Sequence, residues 1–478
     1  MDQTKVALIW PWGLEPDRVY PLAIAYLAAN IDREKFDLRV FDNAIKDRRS
    51  ESEEFQADLV EFQPDVIGIS GWITNREEMA ALVKVIRTIL PKSIVVIGGV
   101  YATGAPAQAF KVVAPDYLIV GEAEKSFNIF LSEISKDHND LSIVPGLWHR
   151  DPTDDDKVLK NEVEYPDVDM DSIAIPDYDA VDIDEYLQNG YRYKTPAVRN
   201  APIWVTRGCP YRCTFCAAPT INGKPVRTHS PEYITEHVKY LYEEKGIEWF
   251  NIIDDNFTLR KSYAKNVCRA LIDLNLPVKF GTPNGIRLQK GDVELWSLMK
   301  QAGWEFLVIA PESGSQNTLN IMKKDLDLNI VPPIIDDIHS AGLSVQAFFI
   351  VGYPGETYAD LQLTKDFVMK SKIDFPVLNF FQALPGTPVY DELVANGEID
   401  SGASVFNIQH GKPSYQNPNL KDVNLSRFVQ QTYIELILKR PRVLFYALRY
   451  FPLKLVVRTL FLQTLNSFAS KWYQKRIS

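Results

Sequence analysis

The sequence predicts an α/β protein: a doubly wound parallel sheet, then a partial barrel of six βα units, then a mostly helical C-terminal extension. Two observations lead to this prediction. Short apolar, β-branched runs alternate with segments of helical spacing through most of the chain, and nearly continuous apolar strands are typical of parallel sheets covered on both faces. One acidic, proline-punctuated stretch interrupts the alternation and separates two domains.

The composition is that of an ordinary globular protein. The 478 residues are 46% hydrophobic and 24% charged, with a formal net charge of -10, which argues against a general nucleic-acid binder. Four cysteines exclude a disulfide-built scaffold and favour a reducing compartment. The N-terminus lacks the apolar run of a signal peptide, and no stretch is apolar enough to span a bilayer. We therefore expect a soluble, cytoplasmic protein that binds no nucleic acid.

The first predicted domain covers residues 1–138. Its strands are predicted at Val6–Trp10, Leu38–Phe41, Val66–Ser70, Ile94–Ile97 and Tyr117–Val120, with helices at Pro21–Ile31, Arg76–Leu90 and Glu124–Ile134. Five strands in this length fit a doubly wound, flavodoxin-like domain, whose ligand site lies at the carboxyl ends of the strands.

Residues 139–195 are predicted to be a linker, because they are acidic and show little periodicity. The aromatic and aliphatic residues Trp148, Ile173 and Tyr178 need burial, so we expect the linker to wrap over a neighbouring domain.

The second domain is predicted over residues 196–395. Its six strands are predicted at Ile203–Thr206, Trp249–Ile253, Val278–Gly281, Phe306–Ala310, Val345–Val351 and Leu378–Ala383, with helices such as Glu232–Tyr242, Val293–Ala302 and Tyr358–Ser371. Six βα units predict a partial or full parallel barrel with its function on the loops that follow the strands.

Residues 396–478 are predicted to be a helical, basic domain. From residue 425 onward there are ten basic residues and one acid, Glu435, a charge of +9 that leaves -19 on the rest of the chain. Three interpretations stay open for this tail: packing against the barrel, docking on an anionic membrane surface, and contact with nucleic acid.

Three cysteines follow the first barrel strand closely. Cys209, Cys213 and Cys216 have Cx3Cx2C spacing, and three thiolates on one loop can ligate a soft metal centre. Structural zinc is the competing interpretation, but zinc prefers four protein ligands. The fourth cysteine, Cys268, lies mid-helix and is expected in the core. With three ligands, a 4Fe-4S cubane would have one iron open to a small molecule.

The run WVTRGCPYRCTFCAAPT, with Gly208 before the first cysteine and Phe215 before the last, resembles the radical S-adenosylmethionine (radical SAM) superfamily. The resemblance implies that the open iron is chelated by S-adenosylmethionine (SAM). Later loops match in order: IIDDNFT, PESGS, VGYPGET and LPGTPVY. The SAM-binding residues implied are Phe215, Asp255, Glu312, Ser313, Gly352 and Gly355. Two interpretations stay open for Arg287: a contact to a carboxylate and a surface ion pair.

The first domain resembles the cobalamin-binding domain found upstream of the barrel in one class of these enzymes, which includes class B radical methylases and the anaerobic magnesium-protoporphyrin ester cyclase group. The cobalamin-binding residues implied are Ser70, Trp72, Thr74, Gly98, Gly99, Tyr101, Thr103, Gly121 and Glu122. The loop FDNAIKD carries no histidine that could ligate cobalt, which is usual in this class. Trp72 either shields the lower face of cobalt or is a core aromatic.

The resemblance implies a cobalamin-dependent methyltransferase that acts on an unactivated carbon of a small or lipid-like molecule through a 5′-deoxyadenosyl radical and methylcobalamin. It also implies an electron donor such as flavodoxin or ferredoxin. Ring formation, rearrangement or oxidation with the same cofactors is the alternative, and a non-catalytic cobalamin carrier or sensor is a second one. No residue specifies a catalytic acid or base, or the substrate.

Overall fold

The first half of the chain forms one mixed sheet with helices on both faces. The computed structural model describes residues 3–13, 20–163, 165, 169–189, 199–400 and 415–450. Five parallel strands have the order β2-β1-β3-β4-β5. They are β1 (Thr4–Trp10), β2 (Phe36–Asp42), β3 (Val66–Ser70), β4 (Ile94–Gly98) and β5 (Tyr117–Ile119). This is the predicted doubly wound, flavodoxin-like order.

Alternate residues of each strand point to opposite faces, which gives this sheet two cores. The helices are α1 (Leu22–Asn30), α2 (Glu53–Phe62), α3 (Arg76–Ile89), α4 (Gly99–Gly104), α5 (Pro106–Val113) and α6 (Ser126–Ile134). Val6 and Leu8 of β1 belong to the core that α1 and α6 cover, and Ala7 and Ile9 to the core under α2, α3 and α5. Doubly wound sheets of this kind bind their ligands at the carboxyl edge.

The predicted linker contains regular structure that the sequence did not reveal. β6 (Leu147–Asp151) and β7 (Asp154–Lys160) form an antiparallel hairpin that extends the sheet to seven strands. β7 is the edge strand of this sheet, and its sequence, DDDKVLK, has no apolar run. Charged side chains are tolerated at an edge, where they discourage further pairing. Beyond the hairpin, Ile173 and Tyr178 are buried as expected, ahead of α7 (Ile183–Gln188).

The second half forms a six-stranded parallel barrel. Its elements begin with β8 (Asn200–Ile203), β9 (Thr206–Arg207), α8 (Ala218–Ile221), β10 (Arg227–Thr228), α9 (Pro231–Lys245), β11 (Trp249–Ile252), α10 (Lys261–Leu274) and β12 (Lys279–Gly281). They continue with α11 (Val293–Ala302), β13 (Phe306–Glu312), α12 (Gln316–Ile321), α13 (Val331–Ser340), β14 (Ser344–Val351), α14 (Tyr358–Lys370), β15 (Phe375–Phe380) and α15 (Pro388–Ala395). β12-β11-β8 and β13-β14-β15 are joined by parallel bridges at Phe280–Trp304 and Ile286–Ile309.

The first barrel strand lies three residues earlier than predicted. β8 ends at Ile203, because the backbone N–H groups of Val205 and Thr206 donate to the Asp254 carboxylate at 2.8 and 2.9 Å. The chain therefore leaves the barrel sheet at this point, and β9 pairs antiparallel with β10 as a short ribbon.

Two helices of the C-terminal extension pack on the barrel. They are α16 (Leu425–Lys439) and α17 (Arg442–Tyr450). The Tyr433 hydroxyl of α16 accepts a hydrogen bond from the Leu378 N–H of β15 at 3.0 Å, and Tyr446 of α17 packs beside Trp249 and Phe306 at the amino ends of the strands. No helix within the described ranges is long and apolar enough to cross a membrane. Residues 451–478 of the predicted basic tail lie outside the described residues.

Candidate functional site

The cysteine loop, residues 208–226, connects β9 to β10 and lies over the barrel. Gly208 opens it with φ +94°, and a Cβ there would overlap the Pro225 carbonyl oxygen. The Cys209 N–H donates to the Gly223 carbonyl at 3.0 Å, which closes the loop on itself. The Thr214 N–H donates to the Met322 carbonyl at 2.9 Å, so the loop is also tied to the segment that follows β13.

The three thiols of this loop are close together and little exposed. Cys209 and Cys213 are buried and Cys216 is half-buried. Burial raises the pKa of each thiol, that of Cys216 to about 12, and Asp255, Cys213 and Cys209 add to the shift at Cys216. Such mutual effects require proximity. The three thiols are therefore gathered in one shielded pocket.

Three thiols on one loop are a donor set that a cubane cluster can use. No three His, Cys, Asp or Glu side chains of the described segments are grouped so that they could hold one metal ion. A cubane takes one thiolate on each of three irons, so its ligands need not converge on one ion as those of zinc must. Cys268 of α10 is fully buried in the core, as expected.

The two aspartates after β11 have different surroundings. Asp254 is buried, and burial raises its pKa to about 7 although Val205 and Thr206 donate to its carboxylate. Asp254 therefore holds the turn between β8 and β9. Asp255, the predicted SAM contact, accepts a hydrogen bond from the Asn222 amide at 2.9 Å and lies close enough to Cys209 and Cys216 to raise their pKa values.

Glu312, at the end of β13, has φ +70° and forms a buried ion pair with Lys324 at 2.8 Å. The Lys324 ammonium also lies 5.6 Å from the ring centroid of Phe215, which links Glu312 to the cysteine loop. Ser313 is fully buried, and its hydroxyl lies 3.1 Å from the Thr364 hydroxyl and accepts from the Ser315 N–H. The structure thus brings Glu312 and Phe215 together and engages Ser313 within the fold.

The loop after β14 is shaped by two glycines and one buried acid. Gly352 and Gly355 have φ +83° and +82°. The Gly352 N–H donates to Glu356 Oε2 at 2.7 Å. Burial raises the pKa of Glu356 to about 8, and its Oε1 has no hydrogen-bond partner among the described residues. Glu356 was not singled out by the sequence, in which it looks like an ordinary acid opening a helix.

Arg287 is not in a surface ion pair, which was one of its two predicted environments. Its side chain is buried, and its guanidinium lies 3.4 Å from the ring centroid of Tyr211 in the cysteine loop. It also donates to the backbone carbonyls of Lys324 and Asp325. Arg287 therefore ties the cysteine loop to the segment after α12.

The predicted cobalamin-binding residues meet along the carboxyl edge of the first sheet. Gly99 has φ +82°, and a Cβ there would overlap the Ser70 hydroxyl. The Tyr101 N–H donates to the Gly71 carbonyl at 3.1 Å, and the Gly121 N–H donates to the Thr103 hydroxyl at 2.9 Å. The loops after β3, β4 and β5 are thus bonded to one another, with close backbone approach at Gly99.

This edge faces the cysteine loop. Trp72 is half-buried, with its ring edge-on to Trp10 at 5.9 Å, and Thr74 and Gly98 are also half-buried. α4 packs against α8 of the cysteine loop, and a Cβ on Gly386 after β15 would lie 2.8 Å from the Gly104 carbonyl oxygen. The cysteine loop therefore lies beside the glycine-containing carboxyl edge of the first sheet.

Glu122, also predicted to bind cobalamin, forms an ion pair with a residue of the barrel. Its two oxygens accept from the Arg227 guanidinium at 2.5 and 2.6 Å. Sequence reasoning missed Arg227, Arg207 and Glu124, which surround it. Two acids directly after β5, and arginines on both sides of the cysteine run, were the available signal.

Comparisons with known proteins match both halves of the chain. The family profile described as Radical SAM superfamily matches residues 203–368, and the one described as B12 binding domain matches residues 16–131. Cytidylyl-2-hydroxyethylphosphonate methyltransferase of Streptomyces wedmorensis is 27% identical over 456 residues, 85% of this chain and 84% of that protein. The anaerobic magnesium-protoporphyrin IX monomethyl ester cyclase of Cereibacter sphaeroides is 24% identical over 429 residues, 88% of this chain and 65% of that protein.

A solved structure has the same fold. The radical S-adenosylmethionine methyltransferase TsrM from Kitasatospora setae, with tryptophan and a SAM analogue bound, superposes with a TM-score of 0.72 at 16% identity, over 90% of this chain and 89% of that chain. The predicted fold class, a doubly wound domain followed by a partial barrel, is confirmed.

Proposed function

Because the chain belongs to the radical SAM superfamily and carries a B12-binding domain ahead of its barrel, we propose that it methylates an unactivated carbon of a small or lipid-like molecule. Its cofactors are a 4Fe-4S cluster, SAM and cobalamin. The similarity to a named methyltransferase over 85% of the chain supports methyl transfer. The observation that carries the proposal is the contact of α4 with α8, which puts the glycine edge beside the cysteine loop. Cofactors on two adjoining surfaces can act on one substrate between them.

In this proposal Cys209, Cys213 and Cys216 hold the cluster. When bound, the cluster and SAM supply a radical that removes hydrogen from carbon, and cobalamin supplies the methyl group. Asp255, beside the thiols, accepts hydrogen bonds from the SAM amino group, and the Lys324–Glu312 pair orients Phe215 next to the third thiol. Gly352 and Gly355, both with positive φ, shape the loop after β14 that lies beside the nucleoside in this proposal.

On the other side, the edge formed by Ser70, Gly98 and Gly99 receives cobalamin, and Thr103 fixes the loop after β5 by accepting from Gly121. Trp72 covers the site from the end of β3. Tyr101 of α4 is buried in the core of the first domain and packs α4 against it. No side chain here is assigned as a cobalt ligand.

Anaerobic reconstitution tests the cluster assignment. We expect about four iron and four sulfide per chain in the wild-type protein and their loss in Cys213→Ala. Cys268→Ala is the matched control, because Cys268 is a core cysteine remote from the loop, and it should retain the full iron content. Stoichiometric zinc in place of iron would contradict the assignment.

Incubation with methyl-labelled SAM under reducing conditions tests methyl transfer. We expect label on the protein-bound corrin and, once a substrate is found, in the product. The similarity to the ester cyclase favours a second candidate, ring formation without methyl transfer, for which label would be absent from the product. If no 5′-deoxyadenosine forms at all, the protein is a cobalamin carrier or sensor instead.

We also propose that an acidic one-electron donor such as flavodoxin or ferredoxin docks at the cysteine loop. Arg212 and Lys224 of the loop are exposed, and exposed Lys323 follows the residue that anchors Thr214. Charge complementarity of this kind mainly accelerates encounter. Arg212→Glu should slow cluster reduction by flavodoxin and leave reduction by dithionite unchanged. Equal slowing with both reductants would contradict donor docking.

For the C-terminal extension we propose docking on an anionic lipid surface. Leu438 and Phe445 are 76% and 82% exposed, and Lys439 and Arg442 are exposed beside them. Apolar side chains flanked by cations are typical of interfacial helices.

Vesicle flotation tests this proposal. We expect the protein to float with phosphatidylglycerol vesicles and to remain unbound with phosphatidylcholine vesicles. Phe445→Gln should reduce flotation several-fold, whereas Ile321→Gln, a matched change at an exposed residue of the barrel, should not. Undiminished flotation of Phe445→Gln, or none by the wild-type protein, would show that this face does not dock on lipid.

A further inference from the structure

Two arginines stand side by side at the base of the cysteine loop. Arg207 ends β9 and Arg227 begins β10, and the two residues are register partners in this antiparallel ribbon. Every residue of the cysteine loop lies between them in the chain. The position of this arginine pair therefore sets the position of the loop.

Both arginines pair with acids of the first domain. Arg227 holds both oxygens of Glu122, at 2.5 and 2.6 Å. Arg207 lies 2.7 Å from Glu124 and 3.4 Å from Glu122. Both acids belong to the loop directly after β5, on the same carboxyl edge as Gly121. We call these four residues the Arg–Glu clamp.

The clamp is shielded from water. The exposed fraction of its side chains ranges from 3% at Arg207 to 13% at Glu122. Arg207 also packs its guanidinium 5.0 Å from the ring of Tyr26 in α1 and 4.6 Å from the ring of Trp204 after β8. Residues of both domains thus surround its charge.

The four charges balance one another. Burial alone would raise the pKa of Glu124, but the Arg207 guanidinium more than offsets this and holds the pKa below its ordinary value. Two cations and two carboxylates thus face one another in a shielded site, and removal of one member leaves a buried charge without its partner.

We infer that the Arg–Glu clamp is a positioning device that fixes the distance between the cluster on the cysteine loop and the cobalamin on the edge of the first sheet. The inference rests on the proposed two-cofactor function. A buried ion pair adds little net stability, because desolvation offsets most of the attraction, but it accepts only a narrow range of geometries. Two arginines that flank the loop, and two acids on one short loop, restrict rotation as well as separation.

The test measures distance, not turnover. The protein is reconstituted with its cluster, loaded with hydroxocobalamin and reduced, and the spacing between the cobalt and cluster spins is measured by pulsed electron paramagnetic resonance. Glu122→Gln and Arg227→Gln should retain iron and corrin but give a longer and broader distance distribution. Glu294→Gln, which removes an exposed acid paired with Lys265 and Arg269, is the matched control and should give the wild-type distribution.

The double variant Glu122→Gln/Arg227→Gln separates positioning from stability. Because it leaves less uncompensated buried charge than either single change, its midpoint of thermal unfolding should recover toward the wild-type value while the distance distribution stays altered. If a single variant does not fold, Glu122→Asp, which keeps the charge and shortens the side chain, is measured in the same way. A wild-type distance in every folded clamp variant would overturn the inference. Failure of the proposed function would instead appear as absent methyl-label transfer in the wild-type protein.

Discussion

Gly208 shows how one residue shapes the cysteine loop. Its φ of +94° is in the left-handed region, and a side chain would overlap the Pro225 carbonyl at the far end of the loop. The loop can close tightly because no Cβ is present.

Gly208→Ala should therefore open the loop and prevent cluster assembly. We expect a loss of roughly 2 to 4 kcal/mol in stability from backbone strain and overlap together, and much lower iron content after reconstitution. Gly397→Ala is the matched control: its φ is +70° but nothing lies within 4 Å of the added Cβ, so only about 1 kcal/mol is lost and iron is retained. Normal iron content in Gly208→Ala would show that this close approach is not needed.

Glu356 predicts a pH dependence of stability. Burial raises its pKa to about 8, whereas the unfolded carboxyl titrates near about 4.3. The folded chain thus holds a proton that the unfolded chain releases between these pH values, and stability falls as pH rises through this range. Glu356→Gln lacks this pH dependence. Between about pH 5 and pH 8 its free energy of unfolding should therefore rise relative to that of the wild type by on the order of a few kcal/mol.

Urea unfolding of both proteins at several pH values measures this difference. Asp360, which lies close enough to Glu356 to raise its pKa further, is present in both proteins and cancels in the comparison. Parallel stability curves would contradict a raised pKa at Glu356.

At the scale of single residues, the sequence identified those whose function depends on their spacing in the chain. Cys209, Cys213 and Cys216 could be predicted from the sequence because they lie within eight consecutive residues of one loop. Glu122 and Arg227 are 105 positions apart, and only the docking of two domains makes them partners. No local pattern encodes such a contact.

Among elements, the parallel strands were predictable and the edge hairpin was not. A strand buried on both faces must be apolar, so Val66–Ser70 stands out in the sequence, and its predicted bounds match the structure. β7 is half exposed at the end of the sheet and consists largely of acids and lysines. Its strand conformation depends on pairing with β6, which the composition of β7 does not reveal.

One hydroxyl of α16 forms a hydrogen bond with a barrel strand. Tyr433→Phe leaves the Leu378 N–H of β15 without this acceptor, and we expect a loss of about 1 to 2 kcal/mol in the free energy of unfolding. Tyr358→Phe, at a residue that is 52% exposed, should change it by less than about 0.5 kcal/mol. Chemical unfolding curves compare the two, and equal effects would mean that this hydrogen bond does not stabilise the docking of α16.

For the whole molecule, cobalamin should stabilise the fold by mass action. A ligand that binds only the folded state at about 100 times its Kd adds about 2.7 kcal/mol. The midpoint of thermal unfolding should therefore rise steadily with the concentration of hydroxocobalamin. SAM added to protein without its cluster is the control and should have little effect, because the iron that chelates it is missing. A midpoint that does not depend on corrin concentration would contradict binding by the first domain.

The net charge is likewise a property of the whole molecule. The net charge of -10 is the sum of -19 on the body of the protein and +9 on its C-terminal region. The seven-stranded sheet and the barrel belong to the acidic part. The sequence predicted the order of the doubly wound domain and the barrel and the fold class of each. It did not predict the edge hairpin or the Arg–Glu clamp, because both depend on contacts that only the assembled molecule has.

Because the β6–β7 hairpin precedes the barrel in the chain, the whole first sheet is translated before the cysteine loop. β7 ends at Lys160, so the first sheet is complete before Arg207 is translated, and domains generally fold in that order as they leave the ribosome. Glu122 and Glu124 are then already in place on a finished surface when the arginines emerge. We therefore expect the nascent cysteine loop to dock on a surface that has already folded.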